Sequence, residues 1–245
     1  MFKNIFRVRS TLHRLLHPLG PAMPYSAEHK QKTRQRIVES ARELFNRRGF
    51  ANVSIDEIMQ RAGLTRGGFY NHFKAKEELY AEAVSLYLHF DPSRRWKDIP
   101  FDPQARGGAC ARQMVNIYLS ASHLDDLEGQ CPLIALPSDA ARAGPQVRKA
   151  YRALVEHMAG MLAGGAGDPD DARARERGVA ATALCVGAMV LARTVDDPAF
   201  ADEVRRCAQA VALQLLDAPP AGRANGRGRR ARPASRGGSP FSPQG

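Results

Sequence analysis

Residues 54–73 read SIDEIMQRAGLTRGGFYNHF and carry the most informative local pattern in the chain. Ser54 followed three residues later by Glu57 is a capping box, which starts a helix. This helix is short and ends near Gly63, because glycine permits a sharp turn there. Thr65 is the next candidate N-cap and opens a second short helix. Two short helices joined by a glycine-containing turn predict a helix-turn-helix motif.

The second helix of this motif is polar and basic, and it has features of a surface that receives a polyanion. Phe69 and Phe73 are expected to anchor it in the core, and no acidic residue occurs from 64 to 76. Gly67 and Gly68 each disfavour a helix by about 1 kcal/mol relative to alanine. Their presence indicates that another surface, such as the wall of a DNA groove, approaches the backbone. The amides at the start of the helix suit a phosphate.

The sequence around the motif is helical nearly throughout, so an all-α fold is expected. Residues 32–48 form an amphipathic helix that Gly49 terminates, and a further helix begins near 75–78. No sustained alternation of apolar and polar residues marks a sheet. The remaining helices are predicted over residues 104–122, 145–162, 179–192 and 200–216.

Charge is distributed unevenly over the 245 residues, whose formal net charge is +11. Residues 26–75 hold ten basic and five acidic side chains, whereas residues 76–217 hold sixteen basic and twenty acidic ones. The two ends, 1–25 and 218–245, contain basic residues and no acidic ones. A basic module joined to a mildly acidic body indicates a polyanionic partner for the basic module.

Several other classes of protein are not expected. Four scattered cysteines do not form a disulfide framework or a zinc motif, and a reducing cytoplasm is the simplest compartment. No run of about 18 consecutive apolar residues predicts a membrane span, so no membrane partner is expected. Catalytic motifs and clusters of metal ligands are absent from the sequence, so we expect neither an enzyme nor a cofactor.

The ends of the chain are predicted to be disordered. Residues 1–25 form a basic leader, and translation starting upstream of Met23 would explain it; a basic membrane-surface helix is the alternative. Residues 218–245 form a tail rich in Arg, Gly and Pro. Its Arg227–Pro233 segment imperfectly resembles an AT-hook, and we expect non-specific attraction to phosphate there.

The N-terminal module resembles the DNA-binding domain of the TetR family of transcriptional regulators. The match follows the order and spacing of some 40 residues within 31–91: Thr33-Arg34, Ile37 to Phe50, Ser54 to Ile58, Ala62 to Leu64, Thr65 to Phe73 and Lys76 to Leu79. The resemblance implies a helix-turn-helix over 54–73 and, over 92–217, a helical domain that binds an effector and forms the dimer. It implies a cytoplasmic regulator, most simply a repressor, that associates with the nucleoid when it binds DNA.

The same resemblance implies which residues contact DNA. Thr65 and Arg66 would meet a phosphate and a base edge, Tyr70 and His72 would reach backbone phosphate, and Lys76 would bind phosphate. The full set of expected contacts is Thr33, Ser54, Thr65, Arg66, Gly67, Gly68, Tyr70, Asn71, His72 and Lys76. Phosphate contacts set the register of the protein on DNA, whereas base contacts supply sequence choice.

The body is expected to supply a dimer interface and an effector pocket. Residues 179–192 are apolar but for Thr182 and rich in small residues, so a homodimer interface is expected through about 170–217. Such a homodimer would read a palindromic operator. The alternative is that these helices are monomer core. The candidate pocket residues are Trp96, Met114, Tyr118, His123, Cys131, Met158 and Met189, although Met and aromatic residues at helical spacing are usually core.

Two alternatives to a ligand-released repressor stay open from the sequence. The chain could be an architectural DNA-binding protein that coats duplexes without an effector. It could also be a regulator that senses oxidants or electrophiles through Cys131, although Asp125, Asp126 and Glu128 would raise the pKa of that thiol.

Overall fold

The computed structural model describes residues 27–97, 99–165 and 172–217 of the chain. The predicted leader, including Met23, and the predicted tail with its AT-hook-like segment lie outside the described residues. Within those ranges the structure is helical and contains no strand, which confirms the all-α prediction.

Eleven α-helices and two short 3-10 helices are present in the part of the chain that is described. They are α1 (Ala27–Arg48), α2 (Ile55–Arg61), a 3-10 helix (Arg66–Asn71), α3 (Lys76–Leu86), a 3-10 turn (Tyr87–His89), α4 (Pro92–Arg95), α5 (Gly107–Tyr118), α6 (Ala121–Asp125), α7 (Pro132–Ala135), α8 (Pro137–Arg142), α9 (Pro145–Gly165), α10 (Ala172–Thr194) and α11 (Pro198–Asp217).

The N-terminal helices pack into a small core that holds the helix-turn-helix in place. The side chains of Ile37, Phe45, Ile58, Phe69 and Tyr80 are fully buried in it. Gly49 ends α1 with φ +76°, and its amide donates to the carbonyl of Phe45, as the sequence predicted. These helices hold α2 and the 3-10 helix at the surface of the molecule.

The C-terminal helices form the body around α9. This helix packs against α3, α5 and α10, and α10 in turn packs against α11. Gly178 allows α10 to approach α9 closely, because a Cβ at that position would overlap the backbone of α9 at Ala159 and Ala163. Contact between α3 and α9 joins the body to the N-terminal helices.

Four details of the helices differ from what the sequence predicted. The first helix begins at Ala27 rather than at 32, and the second helix of the motif is a 3-10 helix rather than an α-helix. Thr65 is the N-cap of that 3-10 helix, but its side chain makes no capping hydrogen bond. The helix predicted over 104–122 is split into α5 and α6, because Ser120 caps a new helix with its hydroxyl at the amide of His123.

One helix is long and apolar enough to cross a membrane by length and composition alone. This is α10, which includes a window of mean hydropathy 1.2. In this structure α10 lies between α9 and α11, where its small residues Gly178, Ala181 and Ala188 are buried. Its composition is therefore that of a helix packed on more than one side.

Candidate nucleic-acid interface and internal cavity

Ser54 and Glu57 build the start of the helix-turn-helix as a complete capping box. The amide of Glu57 donates to the Ser54 hydroxyl at 3.2 Å, and the Glu57 carboxylate accepts from the Ser54 amide at 2.8 Å. The backbone hydrogen bond from Ser54, followed by that from the Arg48 side chain, lowers the pKa of Glu57 to about 2. Ser54 itself is exposed, so a DNA contact of its hydroxyl would have to form beside the capping hydrogen bond from the Glu57 amide.

The 3-10 helix is anchored on one face and exposed on the other. Phe69 and Phe73 are buried with ring centroids 5.6 Å apart, whereas the Tyr70 side chain is 62% exposed. A large aromatic side chain held in solvent by a buried neighbour is available for contact with another molecule. The exposed face carries five of the ten residues that were predicted to meet DNA, namely Thr65, Arg66, Gly67, Tyr70 and Asn71.

The two glycines of this helix have different surroundings. A Cβ on Gly67 would meet nothing within 4 Å, so the space outside that backbone is open. A Cβ on Gly68 would lie 3.5 Å from the terminal methyl of Met59, which is an ordinary contact. Open space at Gly67 is compatible with the expected close approach of a second molecule.

Arg66 has a partner that the sequence analysis did not anticipate. Its guanidinium forms an ion pair with Asp56 at 2.8 Å, and both side chains are more than half exposed. Exposed pairs of this kind stabilise a protein by about 0–1 kcal/mol, so a phosphate or a base edge can replace Asp56 at small cost.

A basic groove separates the 3-10 helix from the N-terminal half of α1. It brings together Thr33, Gly68, Asn71 and His72, which were predicted, with residues that were missed: His29, Lys30, Arg36 and Leu64. Lys30, Thr33 and Arg36 recur every three residues and therefore lie on one face of α1. That spacing was visible in the sequence and could have identified Lys30 and Arg36 as candidate contacts.

His72 is held in the groove as a half-buried group. The Arg34 side chain donates to its backbone carbonyl, and the same guanidinium carbon lies 4.0 Å from the centre of the Phe73 ring. Burial, followed by the positive charges of Lys30 and Arg34, lowers the pKa of His72. The imidazole is thus neutral near pH 7 and would meet a phosphate as a hydrogen-bond donor rather than as a cation.

The ammonium of Lys76 is partly buried against the segment that follows α1. It donates to the Phe50 carbonyl at 2.5 Å and sits 4.1 Å from the centre of the Phe50 ring. Burial lowers its pKa, although Glu77 and Asp139 act in the opposite direction. The expected phosphate contact of Lys76 would therefore compete with this internal hydrogen bond.

The body encloses a cavity of about 240 Å³. Six of the seven candidate pocket residues line it: Trp96, Met114, Tyr118, His123, Cys131 and Met158. The seventh, Met189, does not line it but is fully buried in the core. This correction has a simple cause, since α10 turns Met189 into the helix packing and periodicity alone did not distinguish that face from the face of a pocket.

His123 organises one side of the cavity as a neutral group. Its Nδ1 pairs with the Tyr118 carbonyl at 2.7 Å, and its Nε2 accepts from the Cys131 amide at 3.0 Å. Burial lowers the pKa of His123 to about 4, against the smaller opposing effect of the hydrogen bond to Tyr118. The ring therefore has no positive charge and no free nitrogen near neutral pH.

Cys131 is a buried thiol in an irregular segment, as expected from Gly129 two residues before it and Pro132 directly after it. It is the N-cap of α7, and burial raises the pKa of its thiol to about 12. The thiolate is the reactive form of cysteine, so this environment disfavours reaction with oxidants and electrophiles.

A short segment, residues 126–131, connects the cavity to α1. The Asn46 side chain donates to the carbonyls of Glu128 and Gln130 at 3.0 and 2.8 Å, and the Gln130 side chain donates back to the Asn46 carbonyl at 3.2 Å. The buried Arg42 guanidinium also donates to the Glu128 carbonyl at 2.8 Å. Because Cys131 lines the cavity, this segment touches both the cavity and the helix that precedes the motif.

An acidic residue fixes the other end of the 126–131 segment. Asp126 accepts from the Trp96 indole at 3.0 Å, from the Arg95 side chain and from the Gly129 amide at 2.8 Å. Burial acts to raise the pKa of Asp126, but these hydrogen bonds lower it to about 2. A Cβ on Gly129 would overlap the Arg95 and Asp126 side chains, so a larger residue here would displace that ion pair.

Helices α10 and α11 present an apolar face that no other described element covers. Val179, Leu191, Phe200 and Val211 are each 46–57% exposed. Between the two helices runs a groove lined by small and apolar residues, among them Gly187, Val204 and Cys207. Exposed apolar surface of this kind usually marks an interaction site.

The anchored 3-10 helix, the basic groove beside it and the helical body behind it form a helix-turn-helix module joined to a helical domain. The family model for bacterial regulatory proteins of the tetR family matches residues 37–83. The N-terminal module of the chain is therefore similar to the DNA-binding domain of the TetR family.

Curated relatives match the N-terminal part. The chain is 44% identical over 59 residues to the HTH-type transcriptional regulator AcrR of Shigella flexneri, covering 24% of this chain and 27% of that protein. It is 47% identical over 64 residues to the Tn10 TetC protein of Escherichia coli, covering 26% of this chain and 32% of that one. The matches thus span about a third or less of these relatives' length.

The fold of the whole body is also found in solved structures. A TetR-family transcriptional regulator from Cytophaga hutchinsonii superposes with a TM-score of 0.57 at 22% identity, covering 76% of this chain and 94% of that one. At this identity the similarity establishes the fold alone. The fold extends beyond the DNA-binding module into the helical body.

Proposed function

We propose that this protein is a sequence-specific repressor that binds a palindromic operator as a homodimer and is released from it by a small-molecule effector. The observation that carries the proposal is the two-sided 3-10 helix. Buried Phe69 fixes the helix while Arg66 and Tyr70 project into solvent beside a backbone that is open at Gly67. A rigid, acid-free face of this kind is suited to the major groove.

In this proposal the contacts divide into two kinds. Arg66 reads a base edge after leaving Asp56, and Tyr70 reaches the backbone or a thymine methyl. Thr33, Thr65 and Asn71, together with Lys30 and Arg36 of α1, supply phosphate contacts along the basic groove. Ser54, Gly68, His72 and Lys76 stay in the predicted contact set, in supporting positions.

The dimer is proposed to form through the exposed apolar face of α10 and α11. One motif reads only a few base pairs, and two motifs about 34–36 Å apart, or a multiple of that, read both halves of a palindrome. A second copy of this chain would cover Leu191 and Val211 and would allow close helix contact at Gly187. Two helices from each chain would then form a four-helix bundle.

The 240 Å³ cavity is proposed as the effector site. Most of its lining is apolar, with a few polar groups, as in ligand pockets generally. A ligand that moved His123 or Cys131 would also move the 126–131 segment, which is hydrogen-bonded to Asn46 and Arg42 of α1. Such a ligand acts by binding the DNA-released state of the dimer better than the DNA-bound state.

The two alternatives have weaker support. An architectural binder would gain nothing from a cavity linked by hydrogen bonds to the DNA-binding module. A sensor acting through Cys131 needs an accessible thiolate, whereas this thiol is buried and its pKa is raised to about 12. The architectural binder also predicts no preference between duplex sequences, so the experiment below separates it from the repressor.

The decisive experiment is selection of bound duplexes from a random library with the purified full-length chain. The proposal expects enrichment of an inverted repeat, and equal recovery of all sequences would instead support the architectural alternative. Arg66→Ala should lose the preference for the selected site while remaining folded. Arg112→Ala is the matched control, because it removes an exposed arginine that is paired with Asp217 on the body.

A further inference from the structure

The cavity has one continuous aromatic wall. The rings of Tyr87 and Phe90 stack with centroids 4.5 Å apart and planes 6° apart, and the Phe90 and Trp96 centroids are 5.2 Å apart. The Trp96 ring in turn lies 4.6 Å from that of His123, which meets Tyr118 edge-on at 4.9 Å. Aromatic rings pair well with one another in stacked and edge-to-face arrangements, so this wall favours a planar aromatic guest.

The cavity offers no buried charge to a guest. The lining residues Asp102, Arg106 and His157 are exposed, so they lie at the outer part of the site. His123 is neutral, and burial keeps the Cys131 thiol protonated. An ionised ligand would lose its hydration here without gaining a buried partner, so the lining selects an uncharged molecule.

One buried polar group of the lining remains to be satisfied. The Tyr118 residue is 5% exposed, and among the described residues its hydroxyl makes no hydrogen bond to an oxygen or nitrogen atom, although it interacts with the side chain of Cys131. The neighbouring Cys131 sulfur is at best a weak acceptor. Burial raises the pKa of Tyr118 well above its usual value, so the hydroxyl keeps its proton and acts as a donor. Both nitrogens of His123 are already engaged, which leaves Tyr118 as the donor in this part of the wall.

We infer that the effector is a small, uncharged, planar aromatic molecule whose carbonyl or hydroxyl oxygen accepts a hydrogen bond from Tyr118. This inference rests on the proposed role of the cavity as the effector site. Pairing the hydroxyl of Tyr118 removes the cost of an unsatisfied buried donor, and that gain exists only with the ligand bound. Tyr118 is therefore the residue that determines specificity for an oxygen acceptor.

The test uses three probes of the same ring system and isothermal titration calorimetry on the DNA-free full-length protein. The probes are 2-acetylnaphthalene, its isostere 2-isopropenylnaphthalene, and the anion 2-naphthoate. The parent protein should bind the ketone roughly threefold to tenfold more tightly than the isostere, as expected for one hydrogen bond. The naphthoate should bind at least about a hundredfold more weakly, because its charge would be buried unpaired.

Tyr118→Phe should bind the ketone and its isostere equally while keeping its affinity for the isostere. The variant removes only a hydroxyl that has no oxygen or nitrogen partner among the described residues, so it should be at least as stable as the parent. The inference is overturned if none of the probes binds the parent, if the naphthoate binds as well as the ketone, or if the variant keeps the preference. The comparison between the affinities of the ketone and its isostere for the parent protein tests the inference even if the variant does not fold.

A separate measurement distinguishes this inference from the proposed function. Release of the selected operator is followed by fluorescence anisotropy as the ketone is added. Binding with the expected preference but without release would support the inferred ligand chemistry and contradict the role as a ligand-released repressor. Release by the naphthoate alone would support a ligand-released regulator and overturn the inferred ligand chemistry.

Discussion

Replacing His123 with glutamine should make the stability of the protein much less dependent on pH between neutrality and pH 4. In the folded protein burial lowers the pKa of His123 from 6.5 to about 4. Below pH 6.5 the unfolded chain takes up a proton at this residue, whereas the folded chain resists protonation until about pH 4. Acidification therefore favours unfolding, and the stabilisation is fully present only above pH 6.5.

The magnitude follows from the two pKa values. Each pKa unit corresponds to about 1.4 kcal/mol, so His123 alone should cost the folded state roughly 3 kcal/mol between pH 6.5 and pH 4. A loss of that size is a large share of the 5–15 kcal/mol by which proteins are typically stable. Protonation would also end the hydrogen bond in which Nε2 accepts from the Cys131 amide.

The assay is urea unfolding of parent, His123→Gln and His89→Gln at pH 7.0 and pH 4.5. Glutamine retains one donor and one acceptor but does not titrate, so His123→Gln should be less stable at pH 7.0 and lose clearly less on acidification. His89 is exposed, and His89→Gln should follow the parent. Because His72 is present in all three proteins, its contribution cancels. Parallel losses in parent and His123→Gln would refute the reasoning.

Three other substitutions test the packing, the dimer and a DNA contact. Gly178→Ala should destabilise the protein by about 1–3 kcal/mol in thermal unfolding, because its Cβ would overlap the backbone of α9. The control Gly160→Ala should be neutral or slightly stabilising, because its Cβ would meet nothing within 4 Å. Equal effects of the two substitutions would contradict the close packing of α10 on α9. Leu191→Glu places a charge on the exposed apolar face, so light scattering should show a folded monomer that has lost operator binding, and an intact dimer would move the interface elsewhere. Lys76→Met keeps the packing on Phe50 but removes the charge, so all duplexes should bind more weakly, with a salt slope lower by about 1; unchanged binding would leave Lys76 with a structural role alone.

The parts of the site that could be predicted from the sequence depend on local geometry. The capping box forms because Ser54 and Glu57 are three residues apart on one helical turn, and the anchors Phe69 and Phe73 follow helical spacing. Residue type also indicated six of the seven pocket candidates, since a cavity in a helical body is lined by aromatic and sulfur-containing side chains. Met189 shows the limit of that argument, because the same residue type fills the core.

What could not be predicted arises from contacts between distant parts of the chain. The hydrogen bonds between Asn46 and Gln130 join positions 84 residues apart, and no periodic pattern encodes them. The inward position of Lys76 depends on where α1 ends and exposes the Phe50 carbonyl. The pairing of Arg66 with Asp56 depends on the angle between α2 and the 3-10 helix, which the turn at Gly63 sets only in three dimensions.

The hydrogen bonds of the 126–131 segment set the scale of the response that the proposed effector can produce. Cys131 contacts the cavity and is bonded to His123, and its neighbour Gln130 exchanges hydrogen bonds with Asn46 of α1. A ligand that shifts the Cys131 backbone must therefore shift or break these bonds. A net hydrogen bond contributes about 0.5–1.5 kcal/mol, so loss of two amounts to about 1–3 kcal/mol, which is the range typical of allosteric coupling. The proposed dimer would hold two such junctions and both motifs would have to fit the operator, so a modest change at each cavity would be sufficient to favour release.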